Sequence, residues 1–259
     1  MLDYIIVGLA ALFASGLTLF SGFGLGTILM PVLALFFPLP IAIAATAVVH
    51  LANNLFKLIL VGRHANWQVV GRFGSAAALA AVPGALVLGM LSDLPVVASY
   101  PAFGATREIH VIKLVIGVLI VVFAMLELRS KTAAVAFPRQ FLIVGGLLSG
   151  FFGGLSGNQG ALRAAFLIRA GLDKTAFVGT SVVTAIIVDT IRIAAYGHAF
   201  QFTEIAGDVA DMVKVAMLAA FVGAYVGMRL LERATLRFVQ LTVAAVMAVI
   251  GTGLAGGII

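Results

Sequence analysis

Gly153-Gly154-Leu155-Ser156-Gly157-Asn158-Gln159-Gly160-Ala161-Leu162-Arg163 interrupts an apolar run that extends from Phe141 to Ile168. Glycines at this density break a helix. Broken backbone at membrane depth is tolerable only inside protein or against a wet cavity. An earlier stretch, Ser21-Gly22-Phe23-Gly24-Leu25-Gly26, does the same to Tyr4–Phe37, which also carries Pro31. Each segment reads either as a re-entrant helical hairpin or as one broken span.

Around these two breaks the chain is strongly apolar. Of 259 residues, 63% are hydrophobic and 10% charged, with a mean hydropathy of +1.19. A soluble domain needs roughly a quarter of its residues charged, so most of this perimeter must face lipid. Six further runs are long enough to cross a hydrocarbon core: Ile41–Val61, Val69–Leu91, Ile109–Leu126, Ala176–Gly197, Val209–Leu231 and Phe238–Ile258. The formal charge of +6 is spread in short clusters between these runs, with no basic stripe and no interleaved aromatics, which excludes nucleic acid as a partner. The absence of Cys removes disulfides, thiolate metal sites and cysteine catalysis. No cofactor or metal ligand set is apparent, and the composition is compatible with a homo-oligomer. Residues 4–20 lack a basic leader, sit next to Asp3 and run on into apolar sequence, which predicts part of the mature protein.

The two Gly-rich segments open similar halves. Gly16, Gly26 and Thr46 recur 134 residues later as Gly150, Gly160 and Thr180. Ala80-Ala81-x-x-Gly84-Ala85-x-Val87 recurs at an offset of 139 as Ala219-Ala220-x-x-Gly223-Ala224-x-Val226. Two consistent offsets in the same order point to duplication: residues 1–128 (hairpin 4–37 and three spans), a linker 129–139, and residues 140–259 (hairpin 141–168 and three spans).

Charge decides between hairpin and broken span. If each Gly-rich segment enters and leaves on one side, the halves are inverted. Ten basic residues then face the cytoplasm: Arg63, Arg72, Arg129, Lys131, Arg139, Arg169, Lys174, Arg229, Arg233 and Arg237. Only Arg107 lies outside, with Glu204, Asp208 and Asp211. If each segment is a single span, the count becomes five inside and six outside. The positive-inside bias selects the first arrangement. The expectation is an all-α inner-membrane protein of two inverted repeats, both termini extracytoplasmic.

Five basic residues remain in the spans. Lys113 and Lys214 lie close to span ends and read as snorkelling. Arg163 follows the second break directly; a half-helix starting near Gly160, with Asn158 as N-cap, would point free amides and a positive dipole end inward beside a guanidinium. That combination suits an oxyanion, although Arg163 could instead pair with a carbonyl or line a vestibule. Thr46, His50, Asn53 and Lys57 share one helical face, with Asn54 beside it; the stripe lines a path or glues helices. The matching helix carries Thr180, Ser181, Thr184, Asp189 and Arg192. Asp189 and Arg192 are spaced to pair, as structure or as a gate. His50 is either a proton-linked group or simply hydrogen-bonded. Trp67 reads as an interfacial anchor.

These residues are similar to a known family. The glycine break, Pro38-Leu39-Pro40, Ala44-Ala45-Thr46-Ala47, Asn53-Asn54, Gly62-Arg63-His64-Ala65-Asn66-Trp67 and Pro83-Gly84-Ala85 resemble the first half of the TauE/SafE sulfite exporters. Gly150-Phe151-Phe152-Gly153-Gly154-Leu155-Ser156-Gly157 and Gly179-Thr180-Ser181 resemble the second. The resemblance covers nearly the whole chain. It implies a multi-pass permease exporting sulfite, sulfonates or related sulfur oxyanions. Asn158-Gln159-Gly160 and Arg163 depart from the plainer, less charged tip usual in that family.

The reading is therefore a carrier exporting a small anion, sulfite or an organosulfonate, by alternating access where the tips Gly22–Thr27 and Ser156–Arg163 meet. Substrate contacts are expected from Gly24, Gly26, Thr27, Thr46, Asn53, Asn54, Asn158, Gln159, Gly160, Arg163, Thr180, Ser181 and Thr184. Gating or coupling is expected from His50, Lys57, Asp189 and Arg192. Sulfate, thiosulfate or a carboxylate are alternative cargoes. A rhomboid-like intramembrane serine protease is a different alternative, on Gly154-Leu155-Ser156-Gly157 and His50-x-x-x-Asn54. It needs a histidine beside the serine, and His198 lies at the outer end of its span. A cation carrier would want several acidic groups in the spans, where only Asp189 stands.

Overall fold

In a computed structural model, residues 1–18, 25–102, 104–129, 137–199, 207–230 and 236–259 are described, with side chains at 17–18, 127, 129, 198–199, 228–230 and 236–240 excepted. Gly24, most of the first tip, most of the 129–139 linker, Lys131, Glu204 and Arg233 lie outside these residues, as do the side chains of Arg129, His198, Arg229 and Arg237.

The chain is mostly helical. α1 (Leu2–Thr18) and α2 (Gly26–Leu33) flank the first glycine break, and α3 (Leu39–Val61) follows Pro38. α4 (Trp67–Val69) runs through a π-helical turn, Val70–Gly74, into α5 (Ser75–Ser92). α6 (Val111–Arg129) closes the first half. α7 (Leu142–Ser156) and α8 (Gly160–Leu167) flank the second break, followed by α9 (Lys174–Ala199), α10 (Asp208–Leu230) and α11 (Leu236–Ala255). Asp173 starts α9: its carboxylate accepts from the Ala176 amide at 2.7 Å. That bond and those from Thr175 hold the Asp173 carboxyl below the usual range.

Two expectations need correcting here. An antiparallel hairpin, β1 (Val96–Ala102) with β2 (Ala105–His110), stands between α5 and α6, so the fold is not purely helical and the span expected from Ile109 starts at Val111. The pairing is anchored from outside: the Tyr100 hydroxyl donates to Gly256 O, and Arg107 reaches Ile258 O. The expected span Val69–Leu91 is present within Trp67–Ser92, with a π-helical turn over Val70–Gly74, a distortion common at functional sites.

The polarity of the molecule is inverted relative to a soluble protein. Ile59, Leu79, Met90, Leu218 and Val249 are exposed, while Asp189 and Arg192 have no accessible surface. Such an exterior suits lipid. Four helices, Leu39–His64, Trp67–Ser92, Lys174–Gly197 and Asp208–Gly227, are long and apolar enough to cross a membrane among the described residues. α2 and α8, at eight residues each, span only about 12 Å at 1.5 Å per residue, well short of a ~30 Å core.

α3 packs on α9, α6 on α11, α1 on α10 and α5 on α7. The last two contacts are close enough to exclude side chains. A Cβ on Gly84 would overlap the Phe151 carbonyl, and one on Gly223 the Leu12 carbonyl. Close backbone approach of this kind is how helices associate where lipid offers no hydrophobic drive. Gly84→Ala and Gly223→Ala should each destabilise the protein by about 1–3 kcal/mol, the range for overpacking, seen as a lower unfolding temperature in detergent. Gly71→Ala, with no atom within 4 Å of its added methyl, serves as the neutral control. Unchanged unfolding in the first two variants would mean these helices are not in contact.

Candidate functional site

The polar stripes predicted on α3 and α9 face each other in the centre. Thr46, His50, Asn53, Asn54 and Lys57 are all buried, as are Thr180, Ser181, Thr184, Asp189 and Arg192. The second tip joins them with buried Asn158, Gln159 and Arg163. Gly26, opening α2, lies against Thr46 and the Gly157 carbonyl: its missing Cβ would be 3.4 and 3.5 Å from them. Gly157, at φ +76°, in turn lies beside the Arg192 guanidinium. The beginning of α2 and the end of α7 thus meet within this cluster.

Asp189 organises the charges. Its Oδ1 accepts from Arg192 Nε at 2.9 Å and from Gln159 Nε2 at 3.0 Å, with Arg192 Nη2 also 2.9 Å away. Its Oδ2 stands 2.6 Å from His50 Nδ1. Asn54 donates to the His50 carbonyl at 2.9 Å and lies against the ring. Arg192 further donates to Gly153 O at 3.3 Å, and the Tyr196 hydroxyl donates to Gly154 O. The expected Asp189–Arg192 pair is present and shared with a histidine and an amide.

Arg163 and Lys57 differ from Arg192. Arg163 Nη1 donates to Gln159 Oε1 at 3.1 Å. Lys57 Nζ donates to the amide oxygen of Asn53 at 3.1 Å when that amide also donates to Ser15 Oγ at 3.1 Å and Ala220 O at 3.3 Å. Neither cation is in ion-pair contact with a carboxylate among the described residues. Both are thus buried without a carboxylate in contact among the described residues, an arrangement that favours an anion.

The tip differs in detail from expectation. Asn158 does not cap α8. Gln159 occupies the cap position and its side chain makes no cap bond; Asn158 stands one residue earlier and its backbone N–H donates to Ser156 Oγ at 3.4 Å. Thr180 Oγ1 accepts from the Asn66 amide at 2.9 Å, and Thr184 Oγ1 donates to Thr180 O at 2.8 Å. Thr46 Oγ1, Asn158 Oδ1 and Ser181 Oγ are buried with no partner among the described residues. Lys214 is exposed and pairs with Asp211 at 2.8 Å, as snorkelling implies, and Lys113 is half-buried. Trp67 is exposed.

Sequence reasoning missed Ser15, Ser149 and Tyr196. The two serines are separated by the same 134 residues as the glycines. Ser149 Oγ donates to Gln159 O at 3.1 Å. Tyr196 lies one turn after Arg192 on the same face, a spacing that could have flagged it.

With this geometry in place, comparison with protein families gives a match to sulfite exporter TauE/SafE over residues 4–254. The chain belongs to the sulfite exporter TauE/SafE family. Members are membrane transporters rather than enzymes, so this is a multi-pass transport protein with a small anion as the family's cargo. Comparisons with curated proteins and with solved structures give no match. Nothing supports the protease alternative: the Ser156 hydroxyl donates to Phe152 O at 3.0 Å, and no histidine is bonded to it among the described residues.

Removing one member of the buried pair should be far worse than removing both. Asp189→Ala leaves Arg192 uncompensated and should cost about 3–5 kcal/mol, measured as thermal unfolding in detergent. Asp189→Leu combined with Arg192→Leu should recover most of that loss. A single variant as stable as the wild type would show that the pair does not organise the centre.

Proposed function

We propose that this chain exports sulfite or an organosulfonate, held between the two tips and carried by alternating access. The observation that carries the reading is the pair of buried cations, Arg163 and Lys57, without a carboxylate partner among the described residues. Arg163 is the principal ligand, presenting a planar donor fork at the first turn of α8. The α8 amides, uncapped by any side chain, add donors and the positive end of a short dipole. Thr46 and Ser181, with unpartnered hydroxyls, supply neutral donors, and Gly24, Gly26, Thr27, Asn53, Asn54, Asn158, Gly160, Thr180 and Thr184 complete the surroundings. Lys57 guides the anion, while Arg192, His50 and Asp189 form the gate or the proton-coupling group. The membrane potential favours outward movement of a negative charge by about 2.3 kcal/mol per 100 mV.

The halves, 1–128 and 140–259, are read as inverted repeats in the inner membrane, both termini outside. The packing supports the duplication through exchange. The first helix of each half lies on the fourth helix of the other (α1 on α10, α7 on α5), and counterparts pair across the centre (α3 with α9, α6 with α11). Inverted carriers place cargo at such an interface.

Arg163→Ala should abolish sulfite flux in reconstituted vesicles while leaving folded yield intact; wild-type flux would remove Arg163 from the site. Because the chain has no cysteine, single cysteines at Lys131 and Arg233 report topology cleanly. Both should react with impermeant reagents from the cytoplasmic side alone. Labelling from opposite sides would establish parallel halves.

A further inference from the structure

Gln159 is held at both ends of its side-chain amide and at its backbone carbonyl. Its Nε2 donates to Asp189 Oδ1 at 3.0 Å and its Oε1 accepts from Arg163 Nη1 at 3.1 Å. Its carbonyl oxygen accepts from Ser149 Oγ at 3.1 Å. Gly153 leaves the room: a Cβ there would sit 3.1 Å from Gln159 Cβ. The two charges it joins also fix the amide's direction, oxygen to guanidinium and nitrogen to carboxylate.

We infer that Gln159 is a positioning residue that stands between Arg163 and Asp189, keeping the guanidinium from closing on the carboxylate and so leaving it available to cargo. The inference rests on the proposed anion site. The role assigned to Gln159 here, in place of the direct substrate contact expected from the sequence, is to hold Arg163, since its amide already joins the guanidinium to Asp189. A carboxylate satisfied by Arg192, His50 and an amide has no need of Arg163. A guanidinium bonded to a neutral oxygen keeps its full charge and its remaining donors. A direct Arg163–Asp189 pair would remove both.

Charge and shape make different predictions. In Gln159→Glu an ionised carboxylate meets Arg163 directly and occupies it, whereas the protonated acid restores the native pattern, with C=O accepting from Arg163 and O–H donating to Asp189. The other charged or titratable groups around this position are Asp189, Arg192 and Tyr196 from α9, His50 and Lys57 from α3, and Arg163 on its own helix. All of these are common to wild type and variant, so the wild-type pH profile subtracts their contribution.

The experiment measures binding of methanesulfonate, whose charge is constant across the range, to purified full-length protein from pH 8 to pH 5. Gln159→Glu should bind at least roughly ten-fold more weakly than wild type at pH 8, the scale of one lost charge-assisted contact, and should recover toward wild type as pH falls. Gln159→Leu should be weak at every pH, with a lower unfolding temperature because Asp189 loses a donor and Arg163 an acceptor. If wild type binds and Gln159→Glu binds equally well at pH 8, or stays weak at pH 5 while still folded, the positioning role is wrong. If wild type binds no sulfonate and no sulfite, the anion site itself fails and with it this inference.

Discussion

Asp189 is the one fully buried carboxylate among the described residues, and the centre of the protein is arranged around it. A lone carboxylate in this setting is strongly unfavourable. Three donors from three helices remove that penalty: Arg192 from its own helix, His50 from α3, and Gln159 at the start of α8. The result ties the second tip to both central helices. Since Arg192 takes up the carboxylate's charge, Arg163 and Lys57 are left with no carboxylate in contact among the described residues.

Small residues make that concentration of polarity feasible. Gly84 and Gly223 let α5 and α10 close on α7 and α1 without intervening side chains. Gly26 and Gly157 let the two tips approach within contact, and Gly153 makes room for the Gln159 side chain. The outer surface is correspondingly apolar, with Leu79, Met90 and Val249 turned outward. Buried chemistry sits in the centre, and the outer surface is mainly apolar.

The long apolar helices, the second glycine break and the burial of both polar stripes were legible in the sequence, because a period of 3.6 puts Thr46, His50, Asn53 and Lys57 on one face whatever the neighbours are. The Asp189–Arg192 pair was legible for the same reason. What joins across helices was not. Nothing local in His50 or Gln159 says that both would reach Asp189, since those contacts depend on how α3, α8 and α9 pack. Asn158 does not cap because α8 starts at Gly160, which puts Gln159 at the cap position. The β-hairpin was hidden because its anchors, Gly256 and Ile258, stand some 150 residues away.

The central claim is that uncompensated positive charge at the meeting of the tips holds a small oxyanion. Selenite, a heavier analogue of sulfite, can be located directly by anomalous diffraction from crystals grown in its presence. The account predicts one buried peak within hydrogen-bond reach of Arg163, beside Gly26 and Gly157. Selenium found only at surface arginines, with the centre empty at saturating selenite, would contradict it.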